Sequence, residues 1–313
     1  MKVKPLSLSS LHTVPLSQRK KDCEEHDFGA PYRAGGSFAD FLCSLPNVGG
    51  SADLFALRDA ILSALRHNKP VILGCGGHVM DSGLSPMLAR LIENKMISAV
   101  ALTGAAVLQD VEIALTGHTL AYAEHELQHG HFSITEETGR LISEAINMGS
   151  EENWGIGRSI GQKMLDAELP HLEHSLIATA SRYGVPVTVH PAIGADAFNL
   201  YPQAHGESLG AAGMYDFRLL AGVMAEASGG VVLNVASGMV LPRIFMQAAG
   251  AVRNVGKQLE NLTVAVIDSA ADTKMTEEVL ARLTQKSGKA YRLLGQDELL
   301  LPLLFASVLD AMG

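Results

Sequence analysis

Residues 121–132 read A-Y-A-E-H-E-L-Q-H-G-H-F, with His125, Glu126 and His129 in the spacing H-E-x-x-H. On a helix this spacing puts two imidazoles on one face, where they can hold zinc while the glutamate acts on a metal-bound water. A peptidase of that kind needs its helix to continue and a third ligand to follow. Gly130 instead stops a helix at once, and no G-x-x-H comes after it. Ser133 and Glu136 then spell a capping box that restarts a helix. The segment reads as a histidine-rich connection. A structural metal site and metal-dependent hydrolysis are the weaker alternatives, and no zinc ligand is assigned to the chain.

His78 and His190 differ from these, because each closes a short apolar run. Imidazole is the side chain best suited to exchange protons near neutral pH. It serves equally well as a hydrogen-bonded structural group. His190 is the candidate proton acceptor. Asp110 and Glu112 follow Thr103 by one to two helical turns; either could serve an amine or a ribose, and a solvated helix face explains them equally. Asp110 is carried as the second catalytic candidate. His171 and His174 open a helix and read as surface residues.

The elements that must position these groups are legible as alternation. Six apolar, β-rich runs (PVILGCGG, ISAVALTG, VPVTVH, GGVVLNVASG, LTVAVIDSA and KAYRLLG) are separated by segments of helical period. In SADLFALRDAILSALRHN, Leu54, Leu57, Ile61 and Leu65 share one face behind Ser51 as a possible cap. The runs lack polar alternation, as strands do when both faces are covered. The predicted fold is α/β: a doubly wound, mainly parallel six-stranded sheet with helices on both faces. Residues 1–50, rich in Ser, Pro and Gly, read as an N-terminal arm, and 51–313 as a single nucleotide-binding domain.

In such a sheet, ligands bind at the carboxyl ends of the strands. Five ends here carry small residues: Gly76-Gly77-His78, Thr103-Gly104-Ala105, His190 to Asp196, Ser237-Gly238 and Asp268-Ser269-Ala270. Small residues admit a ligand close to the backbone, and a glycine pair also permits a tight turn. Five such ends together predict a nucleotide-sized cleft, although neither G-x-G-x-x-G nor a P-loop is present.

Composition narrows the partners. Lys and Arg number 24 against 33 Asp and Glu, a formal charge of −9, with 47% hydrophobic residues. The run Arg19-Lys20-Lys21 is answered at once by Asp22, Glu24, Glu25 and Asp27. An acidic chain without a basic stripe is a poor partner for nucleic acid or an anionic membrane. No apolar run reaches the ~18 residues of a membrane span. Lys2, Lys4 and Pro5 give the N-terminus no apolar signal core. Cys23, Cys43 and Cys75 cannot all pair, which suits a reducing cytoplasm.

The strand ends and their order resemble the deoxyhypusine synthase family. The likeness is clearest in GGHVMDSGLSPMLARLIENKMISAVALTGAAVLQDVEIAL, and VPVTVHPAIGAD, GGVVLNVASGMVL and LLGQDELLLPLLFASVL extend it over residues 37–312. The resemblance implies an NAD-binding α/β fold assembled as a homotetramer, a dimer of dimers. It also implies polyamine oxidation followed by aminoalkyl transfer. It places dinucleotide contacts on Gly77, His78, Thr103, Gly104, Ala105, Asp196, Ser269, Ala270 and Asp297. The departures are equally specific. The family's imine-forming lysine would fall near Leu280 to Arg282, where there is none, and Trp154, the sole tryptophan, lies far away. LPRIFMQA replaces the segment that holds the family's catalytic histidine, and the acidic loop shortens to DSAADTKM. Lys274 reads as a surface residue. The expected activity is NAD-dependent oxidation of a small amine, or aminoalkyl transfer to a small acceptor, without covalent capture on lysine. A catalytically inactive NAD-binding regulatory protein is the alternative.

Overall fold

A computed structural model describes residues 3–120, 130, 135–269, 273–285 and 287–313, with only the backbone described for 273–275. The chain divides into two compact units, Met1–Ala52 and Asp53–Gly313. In the first, α1 (Phe38–Ser44) opens on a capping box between Ser37 and Asp40. The helix α2 (Gly49–Arg66) crosses the boundary and starts two residues before Ser51. Ser51 is therefore not its cap; its hydroxyl donates to the carbonyls of Pro46 and Val48.

The second unit is built on six strands, each in one of the six apolar runs: β1 (Val71–Cys75), β2 (Ala99–Thr103), β3 (Val187–His190), β4 (Val231–Val235), β5 (Thr263–Asp268) and β6 (Lys289–Leu294). All five pairings are parallel, and the spatial order is β3-β2-β1-β4-β5-β6. This is the doubly wound order of dinucleotide-binding sheets, and its connectivity reverses between β1 and β4.

Between the strands lie α3 (Gly77–Asp81), α4 (Ser85–Glu93), α5 (Gly104–Thr116), α6 (Glu136–Glu151), α7 (Ile156–Asp166), α8 (Leu176–Arg182), α9 (Gly206–Ala225), α10 (Val240–Asn254) and α11 (Thr273–Thr284). The helix α12 (Asp297–Met312) ends the chain. Helix α6 begins after Thr135, while Ser133, expected to cap it, lies outside the described residues.

Alternate strand residues feed two apolar layers, which is why no polar alternation marks the runs. Leu73, Leu102, Leu233 and Ile267 join Leu57, Leu88, Val107, Leu304 and Phe305 on one face. Ile72, Ala101, Val232 and Val266 join Leu220, Leu241, Phe245 and Leu283 on the other. At Gly74 a Cβ would lie 2.8 Å from the Phe245 ring, so the central strand stays bare there to seat an aromatic ring. Among the described residues no helix is long and apolar enough to cross a membrane.

Candidate functional site at the strand ends

The reversal of order puts the carboxyl ends of β1 and β4 side by side, and their loops meet backbone to backbone. A Cβ on Gly76 would lie 1.8 Å from the Ala236 carbonyl oxygen, and Gly76 N–H donates to the Val235 carbonyl at 3.0 Å. Ala236 has φ +42°, a left-handed conformation that costs a residue with a Cβ about 1 kcal/mol or more. The other left-handed residues that are neither Gly nor Asn among those described (Lys95, Glu168 and Gln285) lie within two residues of a helix C-terminus. Ala236 instead ends a strand at the point of reversal. Ser237 Oγ donates to Asn234 Oδ1 at 2.6 Å and fixes the turn, and Gly238, at φ +54°, has open space where a side chain would stand.

On the β1 side, α3 begins at Gly77 and carries His78, whose side chain is half exposed. His78 Nε2 stands 3.3 Å from Asp297 Oδ1 and 3.4 Å from Ser82 Oγ. Asp297, in the first turn of α12, is 0% exposed, and neither carboxylate oxygen accepts an aligned hydrogen bond. Burial holds its carboxyl above the ordinary range. Its own backbone amide and His78 oppose that rise, while Glu298 and Asp268 add to it by like charge. Cys75, buried beneath, is pushed up by burial and by the charges of Asp297 and Asp110.

The remaining expected residues form an arc along β1, β2 and β3. A Cβ on Gly77 would touch the Ala105 methyl at 3.0 Å, and Ala105 is exposed. Thr103 Oγ1 caps α5 by accepting from Ala106 N–H at 3.3 Å. Thr103 lies beside His190 in the β2–β3 register. Gly104 is buried against Asp196, whose Cγ would be 2.3 Å from an added Cβ. Asp196 accepts from Ala192 N–H at 2.5 Å, and burial raises its carboxyl. Its carboxyl thus packs against the first residue of α5 on the side where a Cβ would stand. Ser269 is exposed at the end of β5. Ala270, His125, Glu126 and His129 lie outside the described residues.

The two catalytic candidates occupy different surroundings from those expected. Asp110 is 0% exposed and holds elements together. Its Oδ1 accepts from Ser85 Oγ (2.9 Å) and Leu176 N–H (2.7 Å), and its Oδ2 from Ser175 Oγ (2.5 Å) and Ile177 N–H (3.1 Å). The carboxylate is engaged by Ser85 and the first turn of α8. His190 is 4% exposed, with Nε2 3.0 Å from Thr188 Oγ1, and burial lowers it to about 4. At neutral pH it is an uncharged hydrogen-bonding ring and a weak base.

Groups that sequence reasoning passed over include Glu298, whose carboxylate lies within 4.8 Å of the ligating atoms of His78 and Asp297. Its only signal was its place beside Asp297. Gln109, also passed over, is 1% exposed with neither amide atom hydrogen-bonded, while Glu112, offered by the sequence for an amine or a ribose, lies one turn further along α5 and is raised to about 7 by burial. A cavity of about 350 Å³ lined by Arg158, Gln162, Pro186 and Tyr215 lies at the amino end of β3, remote from the strand ends where this chemistry gathers.

A dinucleotide was tested against these donors. The open space at Gly238 and the buried Asp297 carboxylate suit a backbone-hugging ligand with ribose hydroxyls. The acid Asp196, packed against the first residue of α5, does not suit its phosphates there.

No protein-family model matches the chain, and no curated protein sequence matches it either. Solved structures do. A conserved LOR/SDH protein from Methanococcus maripaludis aligns over 85% of this chain and 71% of its own, at 13% identity and TM-score 0.55. A protein assigned as a deoxyhypusine synthase from Entamoeba histolytica aligns over 90% and 96%, at 13% identity and TM-score 0.54. AgrE, solved in a ternary complex with ornithine and NAD+, aligns over 84% of this chain at 15% identity and TM-score 0.54, and this chain spans 34% of its length. At these identities the likeness is one of fold.

Proposed function

We propose that the crevice at the carboxyl ends of β1 and β4 binds NAD and that the chain oxidises a small amine to an imine. The observation that carries this reading is the order β3-β2-β1-β4-β5-β6 with the buried Asp297 carboxylate, which accepts no aligned hydrogen bond, set against His78 at the point of reversal. Asp297 would accept ribose hydroxyl hydrogens, Gly238 would admit the ligand to the backbone, and Gly77, packed on Ala105, would line its rim. Ala105, exposed beside Gly77, continues the same rim. Bound NAD would take the hydride leaving the amine-bearing carbon, while the nitrogen loses its proton to solvent. The carboxylates of Asp268, Asp297 and Glu298 favour a cationic substrate on electrostatic grounds. AgrE's complex with ornithine and NAD+ accords with both ligands.

No lysine intermediate is part of this proposal. Leu280 is 6% exposed and belongs to the core, so that position is committed to packing. The same reading takes the protein as a cytoplasmic homo-oligomer, in keeping with three unpaired cysteines. One observation favours a regulatory protein without chemistry: Asp110 is a helix cap and His190 a buried neutral ring.

Thermal unfolding with NAD tests the cofactor. At ten times its dissociation constant, a ligand adds about 1.4 kcal/mol, which in a chain of this size shifts Tm by about 3 °C. His78→Trp, at a half-exposed position, should abolish the shift. An unmoved Tm with millimolar NAD and NADH overturns the reading. NADH formation with ornithine or spermidine then separates an enzyme from a regulator.

A further inference from the structure

From His78, Asp297 and Glu298 we infer a divalent transition-metal site at the mouth of the β1–β4 crevice. Each residue offers one ligand atom, and the three atoms lie within 4.8 Å of one another. Neighbouring donors around an ion with bonds of about 2.1 Å stand roughly 3–3.5 Å apart. The gap closes by rotation of His78 and Glu298, which are exposed, around Asp297, which is fixed.

The independent observation is Asp297 itself. A carboxylate at 0% exposure with no aligned hydrogen bond from another residue to either oxygen is costly to bury, and a bound cation is one of the few partners that offsets the cost. His78 at 3.3 Å meets one oxygen without hydrogen-bond alignment and leaves the other unserved. One imidazole with two carboxylates selects zinc or manganese over calcium or magnesium, which prefer all-oxygen shells. Water completes the coordination.

Glu298 adds like charge to Asp297, and a divalent ion held between the two carboxylates offsets that repulsion. The inference rests on side-chain geometry and stands whether or not NAD binds.

The test is calorimetric titration of metal-stripped protein with Zn2+, Mn2+ and Mg2+, without nucleotide. One Zn2+ per chain is expected, at least tenfold tighter than Mg2+. Asp297→Asn and His78→Gln should each weaken it tenfold or more, and Glu298→Gln by less. His78→Gln alters an exposed side chain and guards against misfolding of the Asp297 variant, which circular dichroism also checks. Two controls locate the ion. His174→Gln removes a ligand from the exposed His171, Glu173 and His174 turn, which contains no buried unpartnered group. His125→Ala with His129→Ala removes the H-E-x-x-H pair. Zinc lost with either control and kept in Asp297→Asn overturns the inference, as does the absence of stoichiometric zinc binding. Zinc binding with no NAD-induced change in Tm leaves the metal site standing and the cofactor reading refuted.

Discussion

Asp216 offers a direct test of how burial governs ionisation in this fold. It lies on α9 at 0% exposure, and its Oδ2 accepts from the N–H groups of Val189 (2.8 Å) and Gly157 (3.1 Å), tying α9 to β3 and to the start of α7. Its Oδ1 has no hydrogen-bond partner and lies against Gly155, where a Cβ would stand 1.7 Å away. Burial, opposed by these N–H donors, raises its carboxyl to about 7. The folded state therefore binds the proton more tightly than the unfolded chain, whose aspartates titrate near 3.9. Stability from this group is complete below about pH 4, declines as pH rises, and is gone above about pH 7. Three units at 1.36 kcal/mol each set an upper bound of about 4 kcal/mol.

Asp216→Asn keeps an oxygen for the two N–H groups and removes the charge. At pH 8 the variant should be more stable than the parent by about 1–3 kcal/mol, and at pH 4 the two should agree within about 1 kcal/mol. Urea unfolding followed by circular dichroism at pH 4, 6 and 8 reads this directly. If the difference between the two proteins stays constant across that range, Asp216 is ionised throughout and the burial argument is wrong.

Other perturbations follow from the same geometry. Asp110→Ala strips partners from two buried hydroxyls and two backbone N–H groups, so a loss of about 3 kcal/mol or more is expected, measured as the urea midpoint. His190, lowered by burial to about 4, binds fewer protons folded than unfolded; its destabilising effect grows as pH falls from 6.5 toward 4. His190→Gln should flatten that acid limb, and an unchanged limb would show the ring to be hydrated. Gly76→Ala meets a backbone oxygen that cannot swing aside; it should unfold several degrees below the parent and lose any NAD-induced shift, and a parent-like melt would show the two loops to be separable.

The sheet was legible because its strands are short, apolar and buried on both faces, so Val71–Cys75 and Thr263–Asp268 stand out between helical segments. The strand order was not, since it rests on pairings such as Val71 with Val231 that no local pattern reports. Small residues at the strand ends were read as room for ligand. At Gly76 and Gly104 the room is filled by Ala236 and Asp196, so tight packing explains both glycines. Asp110 misled because its partners Ser175 to Ile177 are remote in sequence; a lone acid on a predicted helix looks the same whether it caps another helix or faces water. His78 was singled out at a strand end and Asp297 through family likeness, yet only the folded chain shows that they meet.

The junction of β1 and β4 also has a history in time. Residues 71–75 leave the ribosome long before residues 231–235, and at ordinary rates of synthesis the interval is on the order of ten seconds or more. β1 can pair with β2 within that interval, but its other side stays an open edge of Val, Ile and Leu until β4 emerges. The seam at the middle of the finished sheet is thus the last of β1's two sides to close. During that wait the nascent chain is most in need of a chaperone, and a pause in translation before residue 231 would lengthen its exposure to aggregation.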